Sequence, residues 1–237
     1  MAVNMTENKI TVSAVIAAGG TGSRMGVGMN KIFLPISNRP VICRTLDIFE
    51  HSEVISEIIV VTGSGDINRL KALTEAAGYK KITAIIPGGT TRRESVLAGL
   101  YACQGDLVCI HDAARALLKP QALKQVVQDA SLYGAAALGI PAKDTLKTAK
   151  NGFITGTVDR SRIYQIQTPQ VFRLPEILAL HKRAAEETEQ EFTDDCSIGE
   201  RYGLSIHITE GSPNNIKLTT PEDMLLAEAI LALEERL

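Results

Sequence analysis

A glycine-rich segment, Ala18-Gly19-Gly20-Thr21-Gly22-Ser23-Arg24-Met25, follows directly on an apolar run, and Lys31 stands seven residues after Arg24. Glycines at such a place let backbone N–H groups approach phosphate oxygens with no Cβ between them. A guanidinium and an ammonium flanking that cradle suit a triphosphate whose leaving group gathers negative charge. A glycine-rich turn carrying two solvated cations is the plainer reading of the same residues. Neither common nucleotide motif is present. No GxxxxGK[ST] follows Gly22, Gly26 or Gly28, and a GxGxxG pattern beginning at Gly20 meets Met25 at its third glycine position.

The elements around this loop set its position. Ile10 to Ile16 reads as a first strand, so the loop lies beyond a strand's carboxyl end, where open α/β sheets bind ligands. Buried strands are expected at 58–62, 82–86, 107–111 and 135–140, alternating with helices over 40–51, 66–77, 92–103 and 120–133. This alternation predicts a mainly parallel α/β sheet flanked by helices. After Pro141 the pattern changes. Residues 142–171 carry short polar-interrupted strands at 145–148, 153–158 and 164–167, which predicts a β-arm outside the main sheet that a neighbouring subunit covers. Helix returns over 174–187, a strand over 204–209, and Thr220-Pro221-Glu222-Asp223 opens a final helix with a capping box. One domain over residues 1–237, with that arm, accounts for the pattern.

Composition removes several function classes. The 237 residues carry 25 basic and 27 acidic side chains, a formal charge of −2, so no broad basic surface is available for nucleic acid. Five Phe, five Tyr and no Trp offer little base stacking. Cys43, Cys103, Cys109 and Cys196 form no CxxC pair and suit neither zinc nor a disulfide framework, so free thiols in a reducing compartment are expected. No run approaches the roughly 18 apolar residues of a bilayer span. Met1 to Lys9 has neither an apolar signal core nor a basic leader. The expectation is a cytoplasmic protein with no membrane partner.

Further segments carry a resemblance. Ala-Gly-Gly-x-Gly-x-Arg-Met followed by a lysine is similar to the signature of sugar-phosphate nucleotidyltransferases. Gly88-Gly89 with Arg93 and Ser95-Val96-Leu97-Ala98-Gly99, then His111-Asp112-Ala113-Ala114-Arg115, resemble its cytidylyltransferase branch. So do Asp144-Thr145-Leu146-Lys147, Thr157-Val158-Asp159-Arg160, Gln167-Thr168-Pro169-Gln170, Thr193-Asp194-Asp195 and Asn215-Ile216-Lys217-Leu218-Thr219. In order and spacing, from about residue 10 to residue 232, they resemble the methylerythritol phosphate cytidylyltransferase family.

The resemblance implies a Rossmann-like nucleotidyltransferase fold and attack of a substrate phosphate on the α-phosphorus of CTP, releasing pyrophosphate in isoprenoid precursor synthesis. It implies Mg²⁺ as cofactor, CTP and a polyol phosphate as substrates, and a homodimer formed through the arm. By matched position, Ala18, Gly19 and Gly20 cradle the triphosphate, and Arg24, Lys31 and Lys217 stabilise the transition state. Gly88, Gly89 and Ser95 read the cytosine, and Ala113 lies near the ribose. Asp112 falls near the ribose and the metal-bound phosphate, as the carboxylate partner of magnesium. Arg115, Thr145, Arg160, Thr168 and Thr193 match the polyol-phosphate site, with Arg160 and Thr168 in the arm serving the partner subunit.

Other readings stand beside these. His111 reads as a hydrogen-bonded structural residue, Asp144 and Asp159 as turn formers, and Asp194-Asp195 as a cap for a following helix. The resemblance does not assign Arg92. Asn30 and Ile32 stand where proline and glutamine are usual around the lysine, which puts the loop's rigidity in question, and Ala116 and Gly19 also depart from the usual residues. A ribitol-5-phosphate cytidylyltransferase shares the fold, CTP and most motifs. A catalytically silent nucleotide-binding regulator would lack Arg24, Lys31 or Lys217, and all three are present.

Overall fold

The strands over residues 12–17, 57–62 and 107–112 are rich in apolar and β-branched residues, and nearly every side chain along them is buried because both faces of the sheet are covered there. The computed structural model describes residues 10–20, 30–187 and 192–234. In chain order the elements are β1 (Val12–Ala17), β2 (Pro35–Ile36), β3 (Arg39–Pro40), α1 (Val41–Glu50), β4 (Glu57–Thr62), α2 (Ile67–Ala77), β5 (Ile82–Pro87) and α3 (Arg92–Ala102). They continue with β6 (Leu107–Asp112), α4 (Pro120–Tyr133), β7 (Ala135–Pro141), β8 (Lys147–Lys150), β9 (Phe153–Thr157) and β10 (Tyr164–Arg173). The last are α5 (Leu174–Glu187), α6 (Asp195–Arg201), β11 (His207–Glu210) and α7 (Pro221–Glu234).

Seven strands make one sheet in the order β11-β7-β10-β6-β1-β4-β5. All neighbours are parallel except β10, which runs antiparallel to both β6 and β7. Alternate residues of β1 and β4 point to opposite faces. Ala14, Ile16, Ile58 and Val60 pack against Ile42, Leu46 and Phe49 of α1, Leu70 of α2 and Val126 of α4. Val15, Ile59 and Val61 face Val96 and Leu100 of α3 and Ile177 of α5. Gly99 lets α3 lie close on the sheet: a Cβ there would sit 2.6 Å from Val15 Cγ1. A third cluster joins α7, through Ala227 and Ile230, to Val41, Leu117 and Leu218.

The arm is smaller than the sequence suggests. Within residues 142–171 only β8 and β9 form a hairpin apart from the main sheet. Tyr164 to Arg173 belongs to the centre of the main sheet, and its pairing with β7 breaks register between Ile166 and Gln170, around Pro169, which has no N–H to donate. Thr168, expected in the arm, is therefore a core-sheet residue, 4% exposed. The strand expected at 204–209 is also shorter. Leu204 N–H donates to Gly199 O and closes α6, so pairing with β7 begins at His207.

Candidate nucleotide site

The parallel strands all deliver their carboxyl ends to one edge of the sheet. There β1 passes into Ala18–Gly20, β5 into Gly88–Gly89, and β6 ends on Asp112. Together they form a cleft of about 220 Å³ lined by Gly19, Gly20, Lys31, Arg92, Asp112 and Lys217, among others. Asn30 holds Lys31 at this edge. Its buried side-chain amide donates to Ala18 O at 2.9 Å and to Asp66 Oδ2 at 3.0 Å, and its Oδ1 accepts from Ile32 N–H to cap a 3₁₀ turn over Lys31–Phe33. The asparagine that replaces the usual proline thus anchors the end of the loop. Arg24 lies outside the described residues.

The second wall is a glycine turn pressed onto the start of α3. A Cβ on Gly89 would stand 2.3 Å from Glu94 Cβ, and one on Gly88 would stand 2.6 Å from Ser95 Oγ. The turn is fixed by the helix start. Ser95 Oγ accepts from Gly89 N–H at 3.1 Å and donates to Thr91 O at 2.9 Å. Thr91 and Glu94 close a capping box, and the Glu94 carboxylate also accepts from Thr90 N–H at 2.7 Å. Gly89, Thr90, Thr91 and Ser95 line the cleft and Gly88 does not. Ala113 is fully buried, its N–H on Ala17 O, so the next residue, Ala114, lines the cleft in its place.

The charges in the cleft are paired. Asp112, 7% exposed, receives Lys217 Nζ at 2.7 Å on Oδ2 and Arg92 Nε at 3.3 Å on Oδ1. Burial alone would raise its carboxyl, but Arg92 and Lys217 outweigh it and hold Asp112 well below the usual carboxylate range. Arg92 also reaches Asp195 Oδ2 at 2.8 Å, and Asp195 is fully buried with His181 Nε2 3.2 Å from its other oxygen. Of the acidic pair, Asp194 caps α6 as expected, whereas Asp195 turns inward to Arg92. Sequence reasoning left Arg92 unassigned. Its partners stand 20 and 103 residues away, and only an arginine opening a helix beside the glycine turn hinted at a role.

Below the cleft, Asp112 N–H donates to Thr168 Oγ1 at 3.1 Å. The Thr168 hydroxyl has one proton, which goes to His111 Nδ1 at 3.0 Å, so His111 carries its own proton on Nε2 and donates it to Arg115 O at 3.1 Å. His111 is fully buried, and that burial lowers its pKa to about 4. It is a neutral structural imidazole with both nitrogens occupied. Because the folded value lies below the ordinary histidine value near 6.5, this group's stabilisation is intact above that pH and is lost as pH falls toward 4. We expect urea denaturation to register about 2 kcal/mol from this group between pH 7 and pH 5, and His111→Asn to remove that increment. Equal pH dependence in both proteins would contradict the assignment.

The residues expected at the polyol-phosphate site are not gathered in one protomer. Arg115 lies behind the cleft, its Nη1 donating to Asn215 O at 2.7 Å. Thr193 is exposed just before α6, and Thr145 and Arg160 are exposed along the arm, with Arg160 Nη1 on Lys143 O at 2.7 Å. None of these four lines the cleft. Asn215, which sequence reasoning placed in a motif but gave no role, ties the region together. It is 1% exposed and donates through Nδ2 to Thr168 O at 3.0 Å.

Comparison with known proteins agrees with this geometry. The family model described as 2-C-methyl-D-erythritol 4-phosphate cytidylyltransferase matches residues 12–233. A protein of that name from Geobacillus kaustophilus is 43% identical over 220 residues, covering 92% of this chain and 96% of its own. Another from Pelotomaculum thermopropionicum is 41% identical over 224 residues, covering 93% and 94%. Among solved structures, a 4-diphosphocytidyl-2C-methyl-D-erythritol synthase from Anaerococcus prevotii superposes with a TM-score of 0.85 at 29% identity, covering 94% and 97% of the two chains.

Proposed function

This chain belongs to the 2-C-methyl-D-erythritol 4-phosphate cytidylyltransferase family, and from that premise we propose how its own residues carry the reaction. The enzyme transfers CMP from CTP to 2-C-methyl-D-erythritol 4-phosphate in isoprenoid biosynthesis. A phosphate oxygen of the acceptor forms a bond to the α-phosphorus, the bond from that phosphorus to the bridging oxygen breaks, and pyrophosphate leaves with the electron pair. Both reactants are anions, so positive charge and alignment are the main requirements.

The single observation that carries this reading is the placement of Lys31, Lys217 and Arg92 around one cleft beside two glycine turns at the sheet's carboxyl edge. Gly19 and Gly20 receive the triphosphate on backbone N–H groups, and Lys31 and Lys217 stabilise charge on the reacting phosphate, with Arg24 assigned to the same task. A phosphate monoester is already anionic and needs no general base, which fits a neutral, fully hydrogen-bonded His111.

Magnesium fits the cleft as an ion carried by the nucleotide. Among the described residues no cluster of three or more His, Cys, Asp or Glu side chains could hold a metal, and Asp112 is the one carboxylate lining the cleft. Its oxygens already face Arg92 and Lys217, so Asp112 would add at most one ligand to those of the phosphates. When bound, such an ion offsets the charge of the triphosphate oxygens.

The assembly we propose is a homodimer in which Arg160 and Thr145 serve the partner's acceptor site. The support is their exposure on either side of the β8–β9 hairpin, together with Phe153 at 77% and Ile154 at 69% exposure on that hairpin. No helix among the described residues is long and apolar enough to cross a membrane. A cytoplasmic setting is part of the proposal, supported by four free cysteines.

The test is product identity. Incubation with CTP, Mg²⁺ and the acceptor should give a diphosphate-bridged cytidyl product by phosphorus NMR, together with one equivalent of pyrophosphate. Formation of CMP and free acceptor phosphate in place of that bridge would contradict the reading.

A further inference from the structure

We propose that Arg92, clamped by Asp195, is a positioning residue that frees Lys217 from Asp112 for its work on the reacting phosphate. The inference rests on the role given to Lys217 above. It begins from a conflict in the geometry. The ammonium that must meet a phosphate already sits 2.7 Å from Asp112 Oδ2. To act, it must leave or loosen that carboxylate, and Asp112 is 7% exposed. A buried carboxylate abandoned by its counter-ion is costly, so it would hold the lysine back.

Arg92 removes that cost because it cannot follow. Its Nε faces Asp112 Oδ1 at 3.3 Å while its Nη2 is held by Asp195 Oδ2 at 2.8 Å. Asp195 is itself enclosed. It is fully buried, its N–H and that of Cys196 donate to Gln170 Oε1 at 3.0 and 3.1 Å, and His181 closes its far side at 3.2 Å. The two cations on Asp112 therefore differ in kind. The Lys217 side chain is 41% exposed on a flexible stem, whereas Arg92 is 26% exposed and bridges two carboxylates in a fixed fork. With Arg92 in place, Asp112 keeps a counter-charge after Lys217 moves, and the lysine is shared rather than captured.

Arg92→Met leaves Asp112 with Lys217 alone, and Asp195→Asn lets Arg92 settle fully on Asp112. Arg92→Met should lower kcat roughly 10- to 100-fold, the scale seen when a group that orients a functional side chain is removed, whereas Asp195→Asn, which keeps a cation on Asp112, should leave kcat within about threefold. Arg92→Lys should restore part of the loss, since an ammonium can meet Asp112 but cannot bridge both carboxylates. The deciding measurement repeats Arg92→Met in a Lys217→Met background. If Arg92 acts through Lys217, it costs less than about threefold more there; losses that multiply in full overturn the proposal. With Lys217 in place, the pair Arg92→Met with Asp195→Asn leaves neither buried carboxylate site with an unpaired charge, so it should show the same loss of kcat if Arg92→Met alone does not fold. Native turnover in Lys217→Met by itself would overturn the role of Lys217, an outcome distinct from failure of the Arg92 comparison.

Discussion

Lys217→Ala is expected to lower turnover by about 10²- to 10³-fold, the loss typical of removing one preorganised donor aimed at transition-state charge. The effect should fall on kcat, with CTP binding changed far less, because the backbone turns at Gly19–Gly20 and Gly89 remain. Loss of fold is not expected to confuse the result. Arg92 still faces Asp112, and the loop that carries residue 217 stays pinned by Leu218, which is buried and donates its N–H to Ala114 O at 2.9 Å. Steady-state kinetics with a thermal melt as control is the measurement. A variant that melts normally and keeps turnover within about threefold would contradict the transition-state assignment.

Arg160→Ala is expected to raise KM for the acceptor by about 10- to 100-fold while leaving kcat and KM for CTP nearly unchanged, the signature of losing a charge-assisted contact to ground and transition states alike. In this protomer the Arg160 side chain is exposed and none of the described cleft residues touches it. In the proposed dimer its effect is exerted on a second copy. Mixing Arg160→Ala with Lys217→Ala protein, then allowing subunits to exchange, should regain roughly a quarter of native activity at low acceptor concentration. Half of randomly paired dimers are mixed, and each holds one site with both residues intact. No gain on mixing would place Arg160 in its own subunit's site.

The fold was legible wherever local chemistry decides structure. The buried strands around Ile58–Thr62 and Leu107–His111 are β-branched because both sheet faces are covered, and α4 and α5 begin and end where sequence pattern sets them. Legibility failed where polar residues are buried by distant partners. Gln167, Thr168 and Gln170 read as part of an arm outside the main sheet, yet β10 lies within that sheet, where Gln167 Nε2 donates to Ser212 O and Gln170 Nε2 to Asp194 Oδ2. Those partners stand 45 and 24 residues away, beyond any periodicity argument. The site divides in the same way. The first glycine turn and the cations after it announce a phosphate cleft through spacing, so Lys31 could be named; Lys217 could be named only through the family resemblance of its motif. Arg92 could not, since its meaning comes from Asp112 and Asp195. Asp195 looked like half of a helix cap and is instead a buried partner of Arg92 beside the cleft.

A comparison of rates with two polyol phosphates decides the identity of the acceptor. Pyrophosphate release should be followed with CTP and Mg²⁺, offering 2-C-methyl-D-erythritol 4-phosphate and ribitol 5-phosphate in parallel. The kcat/KM for the methylerythritol phosphate is expected to be at least about 100-fold above that for ribitol phosphate, since polar groups built for one polyol are left unpaired by another. A preference for ribitol phosphate would contradict it.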